Sequence, residues 1–176
     1  LDTVNFYFHD QALRSNPPIK TVGESIALES NPYSYQEHLY DKNQPENLDF
    51  LTKLGSLMRD YPGTVTLGEV GAIQEKSWTL IGEYTSGNRL NLCYTFDLLG
   101  TNFKAEFVRS IIERSMREAP NAWPCWTLSN HDVPRSASRF VPKSAKTDDV
   151  ASLNAGLLLS LRGTPCIYQG EELGLD

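Results

Sequence analysis

The sequence contains no long apolar run, no cluster of basic residues and no cysteine pair at metal-ligand spacing. Because no apolar stretch approaches the ~20 residues of a membrane-spanning helix, we expect no membrane partner. Asp and Glu (22 residues) outnumber Lys and Arg (16 residues), and the net charge of -6 argues against a nucleic-acid partner. What is left is an ordinary globular composition, with 40% hydrophobic and 22% charged residues, and enough chain for one domain.

The cysteines also lack the spacing of a redox or zinc motif. Cys93, Cys125 and Cys166 are far apart, and each lies in an apolar, strand-like run, which predicts buried free thiols. Free thiols favour a reducing compartment, so we expect a cytoplasmic protein.

The start of the chain is unusual. It lacks an initiator Met and opens on Leu1-Asp2, which is typical of an element already under way. We therefore expect a piece of a longer protein, for which a missing signal peptide carries no information. Residues 1–44 are rich in turn-forming residues and predict a long loop, a feature that is often functional.

The rest of the chain alternates between helical and extended periodicity. We predict helices at about 45–58, 74–84, 103–116 and 147–161, and strands at 64–67, 90–96, 123–128 and 165–168. Regular alternation predicts an α/β protein whose parallel sheet is built from βα units. A doubly wound sheet and a (β/α)8 barrel both fit this pattern.

Polar residues at the ends of the predicted strands favour the barrel. No nucleotide-binding glycine motif follows any strand. Instead, Glu69, Asp97 and the Asn130-His131-Asp132 cluster stand at strand ends, and Asp2 occupies a comparable place. In (β/α)8 barrels, active-site residues come from the C-terminal ends of several strands.

Asp2, Glu69 and Asp132 at one site, beside His131, would permit acid/base or covalent carboxylate chemistry. Retaining glycoside hydrolysis needs a carboxylate nucleophile and a protonated carboxylic acid about 5–5.5 Å apart. Two such groups push their pKa values apart, so that one remains protonated. In a doubly wound binding protein the same side chains would lie far apart, beyond ~10 Å.

Four segments of the chain carry a family resemblance. They are Leu1-Asp2-Thr3-Val4-Asn5, Leu67-Gly68-Glu69-Val70, Ser129-Asn130-His131-Asp132, and Gly163-Thr164-Pro165 with Ile167-Tyr168-Gln169-Gly170-Glu171-Glu172. In this order the chain resembles the α-amylase superfamily, glycoside hydrolase family 13, and is most similar to its α-glucosidase and oligo-1,6-glucosidase branch.

The resemblance implies a fold and three catalytic roles. Residues 1–176 would form one partial catalytic domain, the C-terminal half of a (β/α)8 TIM barrel from the end of strand four through strand eight. Asp2 matches the catalytic nucleophile, Glu69 the general acid/base and Asp132 the third carboxylate that binds sugar hydroxyls. His131 matches a hydrogen-bonding neighbour of that carboxylate in the substrate site.

The resemblance also implies a substrate class. The expected reaction is retaining hydrolysis of short α-linked oligosaccharides or disaccharides. In this branch Val after the nucleophile accompanies α-1,6 preference, so Thr3 indicates α-1,4 linkages, and Phe96 resembles an aromatic residue on the leaving-group side. A transglucosylase, a sucrose hydrolase or an isomerase would use the same carboxylates. A non-catalytic, glucosidase-like transporter subunit is a further alternative.

No cofactor is expected for the chemistry. We expect no metal ligand among these residues, although a structural Ca or Mg ion would be compatible with the part of the barrel that precedes them. Four strands do not close a barrel. We therefore expect the 176 residues to be inactive by themselves.

Overall fold

The computed structural model describes residues 1–19, 31–71, 76–140, 142 and 146–175. Helices and strands alternate along most of the chain, as predicted. The helices are α1 (Glu46–Met58), α2 (Ser77–Tyr84), α3 (Ala105–Glu118), α4 (Ser136–Arg139) and α5 (Thr147–Ser160). The strands are β1 (Leu67–Val70), β2 (Leu92–Thr95), β3 (Cys125–Trp126) and β4 (Thr164–Pro165). Short 3-10 helices occupy Val4–Phe6, Pro32–Tyr35 and Glu171–Leu173.

All the strand pairs are parallel, which confirms the α/β class. β1 pairs with β2 and places Glu69 beside Tyr94, while β3 pairs with β4. Leu1 extends the first pair, because its amino group donates to Leu67 O at 2.9 Å and its carbonyl accepts from Glu69 N at 2.9 Å. In a parallel pair of strands, one residue bonds two residues of its neighbour that are two positions apart, as Leu1 does with Leu67 and Glu69. Leu1 therefore lies beside β1 in the geometry of a parallel strand.

Several helices and strands begin or end at residues other than the predicted ones. β1 begins at Leu67, where the predicted strand ended, because Thr66 N is bonded to the Asn91 side chain at 2.8 Å. β3 is shorter than predicted, since Thr127 Oγ1 bonds Ser129 O at 2.6 Å and the chain turns. β4 lies at Thr164–Pro165 rather than 165–168, and α4 was not predicted. The predicted start of the second helix, 74–75, lies outside the described residues.

The core lies between the helices and the strands. Its largest buried side chains include Trp78, whose ring lies 5.1 Å from that of Trp126. Val108 and Ile111 of α3 face this core. Met116 of α3 and Leu153 of α5 have the helical spacing of an apolar face, yet each is 63% exposed. No helix within the described ranges is long and apolar enough to cross a membrane.

The cysteines do not form disulfides. Cys93 and Cys125 are buried free thiols as predicted, whereas Cys166 is only half-buried. Burial raises the pKa of Cys93 to about 12, which keeps this thiol protonated and unreactive at neutral pH.

Gly55 lets α1 approach the loop before β2. A Cβ atom at this position would lie 1.9 Å from Asn88 O and 2.7 Å from Arg89 O, so the backbone would have to move. We expect Gly55→Ala to lower the free energy of unfolding by about 2–3 kcal/mol, measured as a fall in Tm of the full-length protein. Gly156→Ala in α5 is the control, because its Cβ would meet no described atom within 4 Å. It should raise stability by up to about 1 kcal/mol, and equal losses from both variants would contradict the packing argument.

Candidate active site

Three elements bring Asp2, Glu69 and His131 together. Asp2 follows Leu1, which is bonded to β1; Glu69 is the third residue of β1; and His131 follows β3. One ligand-type atom from each lies within 4.8 Å of the other two. Acidic groups often lie this close without an ion, and we assign no metal to them. For Asp2 and Glu69, the separation of more than ~10 Å that a doubly wound sheet would require is therefore not found.

The two carboxyl groups have different surroundings. Asp2 is exposed, whereas Glu69 is only 3% exposed. Burial raises the pKa of Glu69, and the neighbouring Asp2 raises it further. Hydrogen bonds from the Tyr94 hydroxyl to Glu69 Oε2 and from Thr3 N to Oε1, at 3.3 Å, act in the opposite direction without cancelling the rise. The pair therefore combines an accessible carboxylate with a carboxyl group biased towards protonation.

Asp132 lies beside this pair rather than within it. Its Oδ1 is 3.6 Å from His131 Nε2, but Asp132 is not part of the group formed by Asp2, Glu69 and His131. Asn130 holds it from two sides, because Asp132 N donates to Asn130 Oδ1 at 3.0 Å and Asn130 Nδ2 donates to Asp132 Oδ2 at 3.4 Å. The side chains of His131 and Asp132 are 60% and 46% exposed. Both remain open to a ligand.

Thr3 contacts the carboxyl pair directly, because its backbone N donates to Glu69 Oε1 at 3.3 Å. Thr3 has a left-handed backbone, with φ 41° and ψ 48°, which is costly for a β-branched residue. The Phe96 ring lies 6.5 Å from the ring of Tyr94, the residue that contacts Glu69. The binding roles predicted for Thr3 and Phe96 stay predictions.

Glu171 holds the loop that carries His131 and Asp132. Its Oε1 accepts hydrogen bonds from Ser129 Oγ and Ser136 Oγ, each at 2.5 Å. Its Oε2 accepts from Tyr168 N at 2.9 Å. Ser136 N also donates to Ser129 Oγ at 2.7 Å, so both ends of the loop are joined. Glu171 therefore positions the loop between Ser129 and Ser136.

Sequence reasoning missed three residues around the site. Tyr94 and Glu69 are partners across two strands, and strand register is not visible in a single sequence. Tyr7 lies near the pair, because Asp2 and Glu69 both add to the rise that burial causes in its pKa. Arg139 bonds the carbonyl groups of Leu98, Gly100 and Leu128, and so joins the loops after β2 and β3. An arginine in a polar segment gave no signal of this role.

Parallel βα units that bring carboxyl groups to strand ends are typical of barrel enzymes that use carboxylate chemistry. The family model described as "Alpha amylase, catalytic domain" matches residues 1–176. The chain belongs to this family.

The proteins that this chain is similar to have names that agree with this family. A probable alpha-glucosidase of Rhizobium meliloti (strain 1021) is 47% identical over 179 residues, covering 99% of this chain and 32% of the relative. The oligo-1,6-glucosidase IMA5 of Saccharomyces cerevisiae is 35% identical, covering 63% and 21%. The crystal structure of the alpha-glucosyl transfer enzyme XgtA matches with a TM-score of 0.90 at 44% identity, covering 100% of this chain and 33% of that one. The chain thus spans at most about a third of these relatives.

Proposed function

We propose that this chain supplies the catalytic carboxyl groups of a retaining α-glucosidase acting on short α-linked glucosides. The observation that carries the proposal is the close pair of Asp2, which is exposed, and Glu69, which is buried and has a raised pKa. A retaining glycosidase needs such a pair, because one group must attack as a carboxylate while the other donates a proton. The activities in the names of the relatives, alpha-glucosidase and alpha-glucosyl transfer, support the substrate class.

The reaction has two balanced steps. In the first, the Asp2 carboxylate attacks the anomeric carbon, the glycosidic C–O bond breaks, and Glu69 donates its proton to the departing oxygen. This leaves a β-glucosyl ester on Asp2. In the second, the Glu69 carboxylate takes a proton from water, the water oxygen bonds the anomeric carbon and the ester C–O bond breaks. Both carboxyl groups return to their starting states.

The neighbouring residues would bind the sugar. Asp132 and His131, exposed beside the pair, would hold hydroxyl groups of the glucosyl ring. Thr3 would favour α-1,4 linkages, and Phe96 would line the leaving-group side. Glucosyl transfer is a second candidate outcome, favoured by the 44% identity to XgtA. An acceptor sugar would then replace water in the second step.

The chain would form the C-terminal half of the barrel, in one partial domain over residues 1–176. The parallel pairs and the bond between Leu1 and β1 support this placement, since Leu1 would end the preceding strand. We expect a purified 176-residue chain to show no turnover of maltose, because four strands do not enclose a barrel core. Measurable turnover by that chain would contradict this expectation.

The test of the proposed function uses the full-length protein with maltose, isomaltose and sucrose. NMR of the first-formed product should show α-glucose, because two displacements retain the α configuration. Maltose should be a better substrate than isomaltose. Release of β-glucose would overturn the retaining mechanism, and turnover of isomaltose without maltose would overturn the role of Thr3. Glucosylated products that increase with added acceptor sugar would identify transfer.

A further inference from the structure

We propose that Tyr94 is a positioning residue that orients the Glu69 carboxyl group and joins it to the loop carrying His131 and Asp132. The inference rests on the proposed role of Glu69 as the acid/base. It assigns to Tyr94 a role in the reaction rather than in packing alone.

The strand register places Tyr94 beside Glu69. The two residues are partners across β1 and β2, so their side chains leave the sheet on the same face. The Tyr94 hydroxyl donates to Glu69 Oε2, while Thr3 N donates to Oε1 at 3.3 Å. Each oxygen is thus held by a different donor. Tyr94 therefore fixes the orientation of the carboxyl group through Oε2, while Oε1 faces residues 2–3.

Tyr94 also contacts the loop after β3. The Asn130 side chain is close enough to the Tyr94 hydroxyl to lower its pKa. The Asn130 amide nitrogen donates to Asp132 Oδ2 at 3.4 Å, and Asn130 Oδ1 accepts from Asp132 N at 3.0 Å. Tyr94 therefore lies between Glu69, to which it is bonded, and the Asn130 side chain that holds Asp132. A change at Tyr94 would disturb both the acid and the sugar-binding loop.

The electrostatic effect of Tyr94 opposes that of burial. Burial raises the pKa of Glu69, and the hydroxyl group of Tyr94 lowers it by stabilising the carboxylate. Burial also raises the pKa of Tyr94, so the hydroxyl remains a donor at neutral pH. The other titratable groups near Glu69 or Tyr94 are Asp2, Tyr7, His131 and Cys166. Glu69 must be protonated in the first step and ionised in the second, and Tyr94 keeps both forms accessible.

The sign of the expected effect follows from the first step. Tyr94→Phe removes a donor to the carboxylate, so the pKa of Glu69 should rise further. Since kcat/KM requires protonated Glu69, the fall of kcat/KM at high pH should move upward. A hydrogen bond to a charged group corresponds to about one pH unit. The second step requires ionised Glu69, so the rise of its rate with pH should also move upward by about one pH unit.

The experiment measures pH profiles of kcat and kcat/KM on maltose with the full-length protein. Tyr94→Phe should show the upward displacement, whereas Tyr61→Phe, an exposed tyrosine before the opposite end of β1, should match the wild type. Replacing Tyr94 with 3-fluorotyrosine keeps the ring and makes the hydroxyl a stronger donor, so the profile should move downward. This variant decides the matter if Tyr94→Phe does not fold.

Two results would separate the failure of this inference from that of the proposed function. An unmoved profile in both Tyr94 variants, with Glu69→Gln inactive on maltose, would overturn the role of Tyr94 alone. Full activity of Glu69→Gln would overturn the proposed role of Glu69. A loss of activity in Tyr94→Phe without any displacement, matched by a similar loss with 3-fluorotyrosine, would indicate packing and contradict the inference.

Discussion

Asp2→Asn is expected to lower kcat on maltose by on the order of 10⁴-fold or more. The amide cannot form the glucosyl ester, so only slow, uncatalysed attack by water remains. Asp2 is exposed beside the buried Glu69, and the substitution leaves the backbone bonds between Leu1 and β1 in place. The fold should therefore persist, with an unchanged Tm. Steady-state rates of the full-length variant on maltose give the measurement.

Asp10→Asn is the matched control for this loss. Asp10 lies in the same loop and its carboxylate bonds Arg14 at 2.6 Å, which holds the pKa of Asp10 at about 2. It takes no part in the carboxyl pair, so kcat should stay within about twofold of the wild type. Equal losses in both variants would point to damage to the loop rather than to the chemistry. Full activity of Asp2→Asn would rule out Asp2 as the nucleophile.

The order of elements was predictable because each has its own periodicity. Helical spacing in α3 and the short β-rich runs of β1 and β2 gave the alternation, and the alternation implied parallel strands. Carboxylates at strand ends then implied a shared site, and the structure does bring Asp2 and Glu69 together. Met116 and Leu153 fit the helical spacing and are still exposed, since periodicity gives the apolar face of a helix but not how far along the helix its neighbours extend.

The contacts that shape the site could not be predicted from the sequence. Tyr94 meets Glu69 through strand register, and a shift of one residue would turn its ring to the other face. Arg139 bonds Gly100 O at 2.9 Å and Leu98 O at 3.2 Å, partners that are about forty residues away in sequence. Burial lowers the pKa of Arg139 to about 10, yet it remains charged at neutral pH. Such long-range bonds depend on the finished fold rather than on any local pattern.

Glu69→Gln is expected to lower kcat/KM on maltose by about 10²–10⁴-fold, the usual contribution of a general acid. A glutamine cannot donate the proton that the departing sugar oxygen requires. An aryl glucoside such as 4-nitrophenyl α-glucoside releases a stable phenolate and needs less protonation. The loss on this substrate should therefore be at least tenfold smaller when the first step is measured as a burst of nitrophenolate. Equal losses on both substrates would contradict a role as general acid.

The stability of Glu69→Gln provides the matching check, because the pKa of Glu69 is raised in the folded protein, first by burial and then by Asp2. A carboxyl group of this kind contributes most to stability below its unfolded pKa of about 4.3, and that contribution is lost as pH rises through the folded value. Above the unfolded pKa, the unfolded chain gains free energy by releasing this proton earlier than the folded protein does, and the neutral amide removes this cost. The variant should therefore have a Tm equal to or above that of the wild type at pH 7, with the difference disappearing near pH 4. A lower Tm at pH 7 would mean that the lost activity reflects unfolding rather than the missing proton.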